Sequence, residues 1–111
     1  MPRNWHQRVD DILTCIARIK SYTEALSFYE FENNQLVIDG VLRNFSIIGE
    51  AVRHISDNIQ SKNPHVLWAQ IKGMRNIIAH EYFGVSLEIL WHSIQNEILV
   101  LEDQLKKIVQ D

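Results

Sequence analysis

The chain has 111 residues, a formal net charge of −3 at neutral pH, 46% hydrophobic residues, and only four glycines and two prolines. That composition excludes a disordered segment and a many-turned β protein, and leaves room for one modest hydrophobic core in a single domain spanning residues 1–111. It also excludes a domain that attracts nucleic acid through an overall positive charge, so any RNA contact must be local.

Cys15 is the only cysteine, which rules out an intrachain disulfide and a two-cysteine metal site within one chain. The amino end, Met1-Pro2-Arg3-Asn4-Trp5-His6, lacks the apolar core of a signal peptide. No run is long and apolar enough to span a membrane. A cytoplasmic, reducing setting without membrane attachment is the expectation.

Hydrophobic periodicity predicts four helices. Val9, Ile12, Leu13, Ile16 and Ile19 recur at helical spacing in a stretch free of Gly and Pro, giving a first helix from about Trp5 to Tyr29. The acidic, aromatic run Phe28 to Asn34 then supplies turn and cap residues. Val41, Phe45, Ile48, Val52, Ile55 and Ile59 form the stripe of a second helix from about Gln35 to Gln60. Arg43, Ser46, Glu50 and His54 lie close to one line along its other side, as the wall of a polar cleft or as a solvated face. Asn63-Pro64 reads as cap and first residue of a third helix with Leu67, Ile71, Met74 and Ile78 as its stripe. Glu81-Tyr82-Phe83-Gly84 interrupts the pattern. Ser86 then caps a fourth helix carrying Leu87, Leu90, Trp91, Ile94, Ile98, Leu101, Leu105 and Ile108. Four amphipathic helices joined by short links predict an all-α, up-and-down four-helix bundle.

The chemistry concentrates in the run Arg75-Asn76-Ile77-Ile78-Ala79-His80-Glu81-Tyr82. Arg presents a planar fork of donors suited to phosphate oxygens, and His exchanges protons near neutral pH. With five His and three Tyr in the chain, chance produces an Arg-x4-His-x-Tyr triple about once in a hundred sequences of this composition. On an ideal helix five residues turn through about 500°, which points Arg75 and His80 about 140° apart. One phosphate is served by both only if the helix ends near Ala79 or if a second copy of the chain supplies the facing half. Cleavage of RNA through its 2′-hydroxyl needs a base, an acid and a cation to hold the phosphorane charge, and two apposed copies of the motif furnish all three without a metal.

The remaining polar residues read more plainly. His6, His65 and His92 have no suitably spaced partners and are expected on the surface or at caps. His54 follows Glu50 by one helical turn, which does not make a metal site without further ligands. Trp5, Trp68 and Trp91 are expected to fill core or interface, Cys15 to be inert, and Arg43, Arg53 and Lys72 to be solvated.

Over nearly its full length the chain resembles the HepT-type toxins of the HEPN ribonuclease superfamily. The resemblance rests on Arg75, His80 and Tyr82, on Ile48-Gly49-Glu50-Ala51, on Pro64, on Gly73-Met74-Arg75-Asn76 and on Val85-Ser86-Leu87. It implies a homodimeric, metal-independent endoribonuclease without cofactor, whose active site lies at the subunit interface, with Arg75 and His80 catalytic and Asn76 supporting them. It further implies a partner, a minimal nucleotidyltransferase antitoxin of the MntA type, which silences the toxin by attaching AMP to Tyr82, with assembly into a larger hetero-oligomer. The rival reading is a non-catalytic helical binding module that accompanies a nucleotidyltransferase. One departure is Gly40, where relatives often carry Ala.

Overall fold

The computed structural model describes residues 4–73 and 86–110. The regular secondary structure of the described residues is all helical, with no strand among them. The elements are α1 (Trp5–Thr23), α2 (Phe28–Glu32), α3 (Gln35–Arg53), α4 (Asp57–Lys62), a helical stretch at 68–73 termed α5, α6 (Leu87–His92), a π-helical turn (Ser93–Glu97) and α7 (Ile98–Gln110). The fold is an all-α helical bundle.

Helix α1 starts where Asn4 closes a reciprocal cap: its side chain accepts from Gln7 N while the Gln7 side chain accepts from Asn4 N, both at 2.9 Å. Val9, Ile12, Ile16 and Ile19 are fully buried, as their spacing predicts. They pack with the stripe of α3, in which Val41, Phe45, Ile48 and Val52 are buried as well. The Tyr22 ring, near the end of α1, lies against Gly40, near the start of α3, so the two helices run antiparallel. A Cβ at position 40 would stand 3.2 Å from Tyr22 Cε2, tighter than an ordinary contact, so the Tyr22 ring would have to give way by a few tenths of an ångström.

Both long helices end earlier than periodicity predicts. The first stops at Thr23 instead of Tyr29, because Ser27 starts a new helix: Glu30 N donates to Ser27 Oγ at 3.1 Å and Ser27 N to Glu30 Oε1 at 2.9 Å. The second stops at Arg53 instead of Gln60. His54 leaves helical geometry at φ −93, ψ 4, and Ser56 caps α4 through Ile59 N at 3.3 Å. Ile55 remains buried across that break, so the apolar spacing reports burial correctly while missing the corner.

The predicted start of the third helix at Asn63-Pro64 is also displaced. Asn63 closes α4, donating from Nδ2 to Ile59 O at 3.0 Å, and Pro64 and His65 form a turn ahead of the helix at 68. The carbonyl of Asn63 receives Val66 N at 3.2 Å and the indole N–H of Trp68 at 2.9 Å. Trp68 is thereby buried with its one polar atom satisfied. Met74 and Ile78 of the predicted stripe lie outside the described residues.

Ser86 caps α6 as predicted, accepting from Ile89 N at 3.3 Å. The predicted fourth helix is continuous through α6, the π turn and α7. Two successive four-residue steps, Leu90 to Ile94 to Ile98, rotate an apolar stripe by about 80° on an ideal α-helix. The wider turn takes up that rotation, and all three side chains are buried. Lys20 of α1 meets Glu102 of α7 at 3.0 Å, tying the last helix to the first.

Candidate functional site

Arg75, Asn76, His80 and Tyr82, the residues on which the sequence places the chemistry, lie outside the described residues. What the structure supplies is the frame on either side of them. Entering the segment, α5 is seated by buried Ile71, by the Trp68 indole on Asn63, and by Leu67 N donating to Gln104 Oε1 at 3.3 Å. A groove of ≈ 230 Å³ lined by Leu67, Gln70, Ile71, Glu97 and Leu101 runs between α5 and the last helix.

Leaving the segment, α6 begins at the Ser86 cap and is held by aromatic packing that sequence reading did not identify. Trp91 lies with its ring centroid 5.0 Å from that of Phe31 and 6.1 Å from that of Phe28, edge-on to the latter. Such pairs add about 0.5–1.5 kcal/mol beyond burial. The short helix α2 therefore anchors the chain just after the motif. The signal was present as three aromatic residues, but no local pattern pairs positions 28 and 31 with position 91.

The polar line on α3 resolves into one small network. The Glu50 carboxylate meets His54 Nε2 at 3.4 Å through Oε1 and Arg53 Nη1 at 3.6 Å through Oε2. Both Glu50 and His54 are about half exposed, at 47% and 48%. Arg43 is exposed and Ser46 half-buried, so the line faces water more than it walls a closed cleft. In that setting a carboxylate–imidazole pair contributes little to stability.

The other candidates fall as expected. His6, His65 and His92 are exposed, as are Arg53 and Lys72, and Trp5 and Trp91 are partly buried against the core. Cys15 is buried, and burial pushes its thiol pKa up, which keeps it in the unreactive thiol form. Among the described residues no group of three or more His, Cys, Asp or Glu is arranged to hold a metal ion, and no helix is long and apolar enough to cross a membrane.

Against known proteins, a family profile described as “Ribonuclease HepT-like” matches residues 12–108. This chain belongs to the HepT-like ribonuclease family. Its relatives include “Putative RNase TTE0752” from Caldanaerobacter subterraneus subsp. tengcongensis, 39% identical over 95 residues that cover 86% of this chain and 81% of the relative. “Putative RNase MJ0125” from Methanocaldococcus jannaschii is 35% identical over 101 residues, covering 91% and 87%. “Probable ribonuclease HepT” from Thermococcus cleftensis is 29% identical over 108 residues, covering 97% and 98%. At the stringency that admits these relatives, no solved structure matches the chain. Membership in this family agrees with the resemblance drawn from the motif, and the matched span contains Arg75, Asn76, His80 and Tyr82.

Proposed function

We propose that this chain is a metal-independent endoribonuclease, acting as a single cytoplasmic domain and as a homodimer whose composite active site takes Arg75 and His80 from both subunits. The observation that carries the reading is the Arg75-x4-His80-x-Tyr82 motif in a chain that belongs to a ribonuclease family. One His80 takes the proton of the RNA 2′-hydroxyl as its oxygen attacks phosphorus. The partner subunit's His80 gives a proton to the departing 5′-oxygen, and the two Arg75 guanidiniums hold the charge that builds on the phosphorane. Asn76 orients these groups or the phosphate.

The same reading makes the protein the toxin of a toxin–antitoxin pair. A minimal nucleotidyltransferase of the MntA type silences it by attaching AMP to Tyr82, in a larger assembly of the two proteins. An adenylate on that phenol places bulk and negative charge two residues from His80, where the substrate phosphate must sit.

The purified protein is expected to cut RNA in the presence of EDTA, and His80→Ala to lower the rate by a factor on the order of 10² to 10⁴ while the dimer persists in sedimentation. Undiminished cutting by that variant rejects the assignment. After co-expression with the nucleotidyltransferase, intact mass should rise in steps of one adenylate, and Tyr82→Phe should abolish the rise.

A further inference from the structure

Between Ser21 and Leu42 the sequence contains four carboxylates, Glu24, Glu30, Glu32 and Asp39, and neither Lys nor Arg. The remaining ten acids face all eleven Lys and Arg, so the rest of the chain is slightly positive and its excess negative charge resides in this stretch. All four carboxylates are exposed, and none has an ion-pair partner among the described residues: Glu30 bonds to Ser27, and Asp39 accepts from Gln35 Nε2 at 2.8 Å.

The same stretch carries large apolar groups in water. Leu36 is 83% exposed and Tyr29 72%, and Tyr22, Leu36, Val37 and Gly40 line an open groove of ≈ 320 Å³ between the end of α1 and the start of α3. Gly40 keeps this groove deep, since a side chain there would press on the Tyr22 ring. Beside it lies Asn44, 4% exposed, whose Nδ2 donates to Gly40 O at 2.8 Å while its Oδ1 has no partner.

From these observations we infer that the α1–α2–α3 corner docks a protein segment that is both cationic and apolar, an amphipathic helix with Lys or Arg flanking an aliphatic stripe. The charge of the face selects this occupant. Within a Debye length of about 10 Å at 0.1 M salt, four exposed carboxylates without ion-pair partners repel RNA and repel the same face of a second copy, while attracting a basic partner. The apolar groove accepts the aliphatic side chains, as helix-binding grooves do. This inference is independent of the ribonuclease reading, because none of the residues it uses belongs to the motif.

The test employs two synthetic helical peptides of equal length, one of Leu and Lys in heptad arrangement and one of Leu and Glu, titrated into the ¹⁵N-labelled full chain. The Leu/Lys peptide should shift amide resonances within residues 21–44 and bind at least tenfold more weakly to Leu36→Asp and to the double variant Glu32→Lys/Asp39→Lys. The Leu/Glu peptide should leave the spectrum unchanged. Because Leu36 is almost fully exposed, its replacement leaves the fold intact, which far-UV circular dichroism checks. The inference is overturned by shifts centred elsewhere, by equal binding of the acidic peptide, by an RNA oligonucleotide that moves the same amides, or by Leu36→Asp dissolving an oligomer of the chain alone.

Discussion

The two ends of α3 treat their carboxylates in opposite ways. Near its carboxyl end Glu50 engages Arg53 and His54, so its charge is matched locally. Near its amino end Asp39 joins Glu24, Glu30 and Glu32, none of which forms an ion pair among the described residues. The charge at one end is consumed within the helix, and the charge at the other is left to act on something else. Net charge of the whole chain, which is only −3, conceals this division.

Substitutions test the comparison in decreasing order of effect. The core that holds both ends in place sets the scale: Ile16→Ala, at a fully buried position between α1 and α3, should lower unfolding stability by about 2–5 kcal/mol in urea titrations. A smaller loss is expected from Ser27→Ala, which removes one half of the reciprocal cap on α2 and should cost about 0.5–2 kcal/mol. If α2 anchors the exit of the motif segment, this variant should also lower RNA cleavage, and unchanged cleavage would show that the anchor does not matter to the site.

The charges themselves should give opposite signs. Glu50→Gln removes a half-exposed carboxylate with two partners and should destabilise by at most about 1 kcal/mol, whereas Glu32→Lys relieves repulsion and should raise the melting temperature slightly. Both effects should fade in 0.5 M salt, and the same sign for both variants would break the comparison.

The smallest effect is a pH dependence confined to α2. The backbone N–H of Ser27, and then its hydroxyl, hold the Glu30 carboxyl below its usual pKa. A group whose folded pKa is depressed stabilises the folded state above its unfolded pKa, about 4.3, and ceases to do so as the pH falls through the lower folded value. The protection factors of the Glu30 and Phe31 amides should therefore fall below pH 4 in the native chain and show no such step in Glu30→Gln.

Periodicity reads the buried face of this protein well, because the alternating steps of Val41, Phe45, Ile48 and Val52 are fixed by burial against a neighbouring helix. It reads the corners poorly. Ile55 and Ile59 continue the spacing across the break at His54, and nothing at that break is Gly or Pro, so only the hydroxyl of Ser56 marks it. Ser27-x-x-Glu30 was a legible start signal overridden by the absence of Gly and Pro around it. At Asn63-Pro64 the error was of a different kind, since an amide suited to capping the next helix closes the previous one. For the candidate site, residue type and spacing single out Arg75, His80 and Tyr82, the family resemblance adds Asn76, and all four lie outside the described residues. The aromatic anchor of Phe28 and Phe31 on Trp91 was beyond it, because that contact joins positions sixty residues apart.

The π turn at Ser93–Glu97 has a consequence for how the chain tolerates changes in length. One residue more than an α-helical turn requires is stored there, between a front half that follows the motif and a rear half pinned to α1 through Glu102. Removing exposed Gln95 would convert the turn to an ordinary one and leave Ile98, Leu101, Leu105 and Ile108 seated. The same deletion at Asp103 would swing every later side chain by about 100° and unseat Leu105 and Ile108.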